Sequence, residues 1–367
     1  MSQPTTSLAA VMVKPRQTEL REFTIPAVAA DAGLLRVLAN GVCGSDWPMY
    51  LREKPGPRIL GHEMIGTIEK LGDVARERWG VKEGDLVALE EYLPCGHCEY
   101  CRTGEYRSCL ETDTRLAGSI RYGSTPIDRA PALWGGYSQY LYMHPRTVLH
   151  RVPPGIPINI AAMALPIGNG FQWTYLDGGA GPGKTVVIQG PGQQGLGNVI
   201  AAKSAGAGPI IVSGLRRDEL RLAVAKELGA THTIVADEED LAAAVSKITG
   251  GRMADIVVDA SGGGPEMVNA ALALLRKRGV LLMASRKGMI GGFDLDQVLA
   301  KQIVLRGTRG HSFEAVEMAL ATMARGAFPL EKMSSHVVGL DRVSEALNMV
   351  GGQTSERSIH ITVTPWQ

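Results

Sequence analysis

Four of the five cysteines fall at positions 95, 98, 101 and 109, and the fifth, Cys43, stands alone in Gly41-Val-Cys-Gly-Ser-Asp46. The C-x2-C-x2-C-x7-C spacing offers four thiolates on one short lobe, with Gly96 and Gly104 letting the loop curl. Tetrahedral Zn²⁺ takes four such sulfurs at about 2.3 Å, and a closed set leaves no position for chemistry. Cys95, Cys98, Cys101 and Cys109 are therefore expected to hold a structural zinc. The opening Met1–Ser7 lacks the basic and apolar pattern of an export signal, so a metal is expected in place of disulfides. His97, inside the cluster, reads as a surface side chain.

A second pattern serves phosphate. Gly190-Pro-Gly192-Gln193-Gln194-Gly195 follows the apolar run Thr185-Val-Val-Ile188 and opens a small-residue stretch that reads as a helix from Gly195 to Ala207. In that order, glycines permit the tight turn, the backbone approach to a pyrophosphate and close helix–strand packing. The helix N-terminus adds unpaired N–H groups and partial positive charge. A dinucleotide fold often places Asp or Glu about 20 residues further on for the adenosine ribose. Here the next strand ends Ser213-Gly214-Leu215-Arg216-Arg217. Gly214 accepts no hydroxyl, and Arg216 or Arg217 could hold a 2′-phosphate, so the reading leans to NADP over NAD, with Asp218 as the alternative ribose ligand. Ser261, past the strand Ile256–Asp259, completes the candidate cofactor set.

The elements that must position these groups change character along the chain. Up to about residue 160, short runs such as Leu34–Leu38, Gly66–Lys70 and Asp85–Leu89 are broken by Gly and Pro, the pattern of an irregular β unit. Beyond Pro153-Pro-Gly-Ile-Pro157, apolar runs at 185–188, 210–213, 233–235, 256–259 and 280–283 alternate with helical stretches. That alternation means βαβ units and a parallel sheet. The 367 residues suit two domains. Thirty-eight basic against 37 acidic residues give +1, no footprint for nucleic acid or an anionic membrane. No run of about 18 apolar residues spans a bilayer. A cytoplasmic protein is expected.

Taken in order, Cys43, Gly61-His62-Glu63, the four-cysteine lobe, Trp134-Gly-Gly-Tyr-Ser-Gln-Tyr140 and the glycine loop resemble the zinc-dependent medium-chain alcohol dehydrogenase family, nearest its sorbitol- and threonine-dehydrogenase-like branch. The resemblance implies an α/β chain with a GroES-like β-rich catalytic domain at 1–160, the zinc lobe at 90–112, a doubly wound Rossmann domain at 161–309, and a return to the catalytic domain over 310–367. It implies a catalytic zinc on Cys43 and His62, with Glu63 beside it as a mobile carboxylate that we expect to ligate directly. Ser45 would take the alcohol proton, and Asp46 would orient the histidine. The implied reaction is reversible oxidation of an alcohol to an aldehyde or ketone by hydride transfer to NAD or NADP. A small-molecule substrate and a homo-oligomer, dimer or tetramer, go with it. Two departures stand out. Leu165 occupies the family's third-ligand position and has no lone pair to donate, and Trp47-Pro-Met49 stands where some members carry a relay histidine. Trp47, Met49, Tyr50, Phe171 and Trp173 suggest an apolar pocket or, equally, domain packing. The rival readings are an NADPH-dependent C=C or C=O reductase without catalytic zinc, and a nucleotide-binding homologue without chemistry.

Overall fold

The computed structural model describes residues 5–53 and 56–367. Its strands are β1 (Thr6–Lys14), β2 (Gln17–Thr24), β3 (Gly33–Gly41), β4 (Arg58–Ile59), β5 (Glu63–Leu71), β6 (Leu86–Leu89), β7 (Tyr140–Met143), β8 (Leu149–Arg151), β9 (Val186–Gln189), β10 (Ile210–Gly214), β11 (His232–Val235), β12 (Ala254–Asp259), β13 (Leu275–Met283), β14 (Val304–Gly307), β15 (Ser334–Val338) and β16 (His360–Val363). The chain divides into two compact units, one running to Ala164 and resuming over Ser334–Gln367, the other Leu165–Met333. Among the described residues no helix is long and apolar enough to cross a membrane.

In the first unit, β15-β16-β3-β5-β6-β8 form one sheet, with β7 also on β3, and β2-β1-β4 form a smaller one. Only β15 and β16 pair in parallel; the rest of the large sheet is antiparallel. The strands read as apolar on both faces because both are covered: Leu35, Val37, Met64 and Leu141 fill one core and Val11, Tyr50, Leu347 and Ile361 another. The register matters for function. Gly41 at the end of β3 lies opposite Glu63 at the start of β5, and Thr362 of β16 lies on the other side of Gly41. Residues far apart in sequence thus meet at one sheet end.

The second unit is a parallel sheet in the order β11-β10-β9-β12-β13-β14. Chain order reverses between β9 and β12, and that reversal opens the crevice in which doubly wound folds take their ligands. Helices cover both faces, so the strands are continuous apolar runs, with Val187, Ile211, Val257 and Leu281 fully buried.

Several boundaries differ from the sequence reading, the edge of the first unit falling at Ala164 and not at 160. The glycine-loop helix runs Gln193–Ser204, beginning two residues earlier than Gly195, because extended Gly192 already serves as its N-cap. The return to the first unit comes at Ser334 and not at 310. Trp173 Nε1 donates to Gly310 O at 3.0 Å and Ser312 N to Gln172 Oε1 at 3.0 Å, which ties the start of the helix Phe313–Ala324 to the second unit.

Candidate active site and metal centres

The Gly41–Glu63 pairing delivers three donors to one place. Cys43 leaves β3 two residues past Gly41, while His62 and Glu63 enter β5. The ligand atoms of Cys43, His62 and Glu63 lie within 4.8 Å of one another. His62 turns Nδ1 to Asp46 Oδ1 at 3.1 Å, leaving Nε2 for the cluster. Asp46 is fully buried, and its Oδ2 accepts the Cys43 N–H at 3.2 Å and the Tyr137 hydroxyl at 2.8 Å. A carboxylate placed this way fixes the tautomer and ring orientation of a metal-binding histidine. The exposed Ser45 Oγ sits 3.2 Å from Cys43 Sγ and 3.3 Å from His62 Nε2. Gly41 has to be bare: a Cβ there would overlap Glu63 Oε2 and lie 2.7 Å from His360 Cε1.

Burial, then the neighbouring Glu63 charge, pushes the Cys43 thiol up. Burial carries the Glu63 carboxyl up to about 7 against the pull of His62, with Asp46 adding to the rise. Burial alone would lower His62, but Asp46 and Glu91 outweigh it and hold the imidazole well above its ordinary value. One sulfur, one nitrogen and one carboxylate around a common point is a donor set that Zn²⁺ satisfies, with a fourth position open. The residues present fit the ion.

In the lobe, Cys98 Sγ and Cys101 Sγ are 3.5 Å apart and Cys95 Sγ and Cys101 Sγ 3.9 Å. A tetrahedron with Zn–S of about 2.3 Å needs sulfurs about 3.8 Å apart, whereas a disulfide needs about 2.05 Å. The N–H groups of Cys98 and Cys95 point at Cys95 Sγ and Cys109 Sγ, both at 3.3 Å, as donors to thiolates would. His97 is exposed, with Nδ1 3.1 Å from Cys95 O. The lobe is fastened to the sheet by Tyr106, whose hydroxyl donates to the buried Glu90 at 2.7 Å.

In the second unit Gly190 takes φ 95°, which only glycine adopts without strain. A Cβ on Gly195 would overlap Gly190 O, while one on Gly192 would meet nothing within 4 Å. One glycine makes the turn, one admits the helix, and one leaves the backbone open. Gln193, Gln194 and Gly195 form the first turn, and the first helical N–H bond is Leu196 N to Gly192 O at 2.9 Å. Ser261 lies against the loop, its Cα 2.8 Å from where a Gly190 Cβ would be. Beside Gly214, Asp218 is spent on its own turn, accepting from Leu215 N at 3.2 Å and Arg221 at 3.1 Å. Arg216 is engaged by Glu238 and its N–H by Asp237 at 2.9 Å. Arg217 is exposed and, among the described residues, makes no ion pair.

Some residues have other work than the sequence suggested. Trp47 and Met49 pack on the core that holds Tyr50 and the helix Val343–Val350, and a Cβ on Gly351 would collide with the Trp47 ring. Tyr50 donates to Ser344 at 2.9 Å. Trp47, Met49 and Tyr50 thus serve packing within the first unit. Phe171 and Trp173 are buried, and Trp173 is tied to Gly310 of the same unit. Leu165 is a buried aliphatic residue without a donor. Conversely, Tyr137 and His360 were not singled out as site residues. Tyr137 lies inside a quoted motif, but its partner Asp46 is 91 residues away, and no local spacing reveals that.

Comparison with known proteins follows the same lines. Residues 29–154 match the alcohol dehydrogenase GroES-like domain family and residues 195–325 the zinc-binding dehydrogenase family. A probable alcohol dehydrogenase of Mycobacterium tuberculosis is 36% identical over 372 residues, covering all of both chains. The sorbitol dehydrogenase of Bacillus subtilis is 34% identical over 76% of this chain and 74% of its own. An alcohol dehydrogenase of Thermotoga maritima superposes with TM-score 0.86 at 26% identity, covering 99% of this chain and 100% of that one. The chain belongs to the zinc-dependent medium-chain alcohol dehydrogenase family, with a GroES-like and a Rossmann unit. It is an alcohol oxidoreductase acting on a small molecule with a nucleotide cofactor.

Proposed function

We propose that Cys43, His62 and Glu63 hold a catalytic zinc at which a small alcohol is reversibly converted to its aldehyde or ketone, with NADP preferred. When bound, the zinc supplies Lewis acidity that lowers the proton affinity of the substrate hydroxyl, and the nicotinamide accepts the hydride. The chain's own residues do the rest. Asp46 and Tyr137 keep His62 in the tautomer whose Nε2 faces the cluster. Ser45 Oγ, at 3.2 Å from the thiol sulfur and exposed on its other side, accepts the alcohol proton and hands it to solvent. Glu63 replaces the donor that Leu165 lacks, and one thiolate plus one carboxylate balance the dication. Cys95, Cys98, Cys101 and Cys109 close a second, structural zinc. Gly190, Gly192, Gln193, Gln194, Gly195 and Ser261 receive the dinucleotide, Gly214, packed against Pro191 of the glycine loop, offers its ribose no acceptor, and Arg217, unlike the engaged Arg216, is free for a 2′-phosphate.

The observation carrying this reading is the convergence of three ligand atoms within 4.8 Å on a histidine already oriented by a buried carboxylate. Zinc per chain, measured with nicotinamide absorbance over a panel of alcohols and aldehydes, tests it. Two zincs with turnover support it. One zinc with turnover would mean chemistry without the metal, and cofactor binding without turnover a homologue that has lost its reaction. Parallel titration with NADP and NAD tests the cofactor: equal affinity, or tighter NAD, removes Arg217 from the site. We also read the protein as a cytoplasmic homo-oligomer, on cysteines spaced for metal and not for disulfides and on the exposed apolar residues Leu295, Leu299 and Val304.

A further inference from the structure

Lys287 lies in the segment after β13, outside every motif, yet its side chain is only 5% exposed. Its ammonium is 3.0 Å from Asp259 Oδ2, the fully buried carboxylate that ends β12. It also donates to Ser261 O, Ser261 Oγ and Gly263 O, each at 3.0 Å. Ser261 Oγ in turn donates to Asp259 Oδ1 at 2.6 Å. One cation therefore closes a cage of oxygens around the first turn of the loop that follows β12.

That loop stands at a particular place. The carboxyl ends of β9 and β12 flank the strand-order reversal, where ligands of doubly wound sheets bind. The glycine loop forms one wall and Ser261–Gly264 the other, with Ser261 against Gly190. Like Gly192, Gly262 presents bare backbone: a Cβ on it would meet nothing within 4 Å. The wall contains three consecutive glycines, Gly262 to Gly264, the residues that lose most freedom on ordering. Left to itself, such a run would have to be ordered by the ligand, at the expense of affinity. Lys287 takes the carbonyls on either side of Gly262 and fixes the run beforehand. A buried ion pair is a poor source of net stability, and its retention fits a role in specifying geometry.

We propose that Lys287 is a positioning residue for the nicotinamide dinucleotide, preordering the Ser261–Gly264 wall of its crevice. The proposal rests on the dinucleotide reading of the glycine loop. Lys287→Met keeps the length and apolar stem and removes the ammonium. Binding of NADP and NAD is titrated by fluorescence for the wild type and the variant, with amide hydrogen exchange in both. Expected are dissociation constants about tenfold higher for both cofactors, with faster exchange confined to residues 260–264 and the segment around 287. A dissociation constant within twofold of wild type overturns the proposal. So does exchange quickened across the whole six-stranded sheet, since that marks a fold defect. If Lys287→Met does not fold, the Asp259→Asn/Lys287→Met pair removes both charges and is judged by the same criteria. A wild-type chain binding neither cofactor overturns the dinucleotide reading itself, whereas a variant matching a binding wild type overturns only the role of Lys287.

Discussion

At the Cys43 cluster, burial and mutual charge make the donors hold protons that zinc binding must expel. Cys43 and His62 are raised and Glu63 stands at about 7. Zinc affinity should therefore rise between pH 6 and 8, about tenfold per unit for each proton released. Competition against a chelator at pH 6, 7 and 8 measures this. Glu63→Gln should lower the affinity, flatten the slope and cost one zinc per chain; a pH-independent wild type would contradict the argument. The metal-free protein should run the opposite way. The folded value of Glu63 lies above its ordinary 4.5, so its contribution to stability is full below that pH and is lost as pH rises through about 7. Stripped wild type should lose melting temperature across this window faster than stripped Glu63→Gln. Tyr137→Phe removes only the hydroxyl that donates to Asp46 at 2.8 Å. Loss of such an orienting partner typically weakens metal binding 10- to 100-fold. That loss, at nearly unchanged melting temperature, is the expected result, and unchanged chelator competition would assign Tyr137 to packing alone.

At the scale of elements, the four-cysteine lobe has little core of its own: three short turns, Glu99–Arg102, Tyr106–Ser108 and Leu110–Thr112, whose buried residues are Tyr106 and Thr112. Metal binding must supply its order. Cys98→Ser should release the lobe zinc and lower the melting temperature on the order of 10 °C, read by metal analysis and calorimetry. Retention of both values would make the lobe independent of metal. The lobe was readable from sequence because its ligands are local, spaced within one curl of chain. The βαβ alternation and the glycine loop were readable for the same reason. What sequence did not reveal was pairing over distance. The Gly41–Glu63 register, the return of β16 that brings His360 beside Glu63, and the Lys287–Asp259 pair each join residues from separate elements. Nor could apolar patterning distinguish a substrate wall from a core, so Trp47 and Met49 were ambiguous until the helix Val343–Val350 was seen against them.

The parallel sheet ends in two edges that are treated differently. Beyond β11 the chain continues Asp237-Glu-Glu-Asp240, an acidic guard of the kind that discourages strand addition. At the other edge, β14 carries Val304 at 51% exposure, and the preceding helix Leu295–Lys301 exposes Leu295 and Leu299 at 55% and 68%. Residues four apart share a helix face, so the two leucines expose one apolar stripe, while β14, which among the described residues pairs with β13 on one side only, presents Val304 and a row of strand N–H and C=O groups. A second copy related by a twofold axis would answer both needs at once. It would bring its own β14 alongside in antiparallel pairing and lay its leucines against the first set, each residue meeting the same patch on its partner. Leu299→Glu with Val304→Lys places unlike charges within each patch, but also sets each charge against its own image wherever the axis passes close to it. The expected outcome is conversion of the assembly to monomers of 39.1 kDa in sedimentation velocity, with zinc content unchanged because all seven proposed ligands lie in the other unit. A variant that sediments as the wild-type oligomer would move the interface away from this edge, and a wild-type monomer would remove the oligomer altogether.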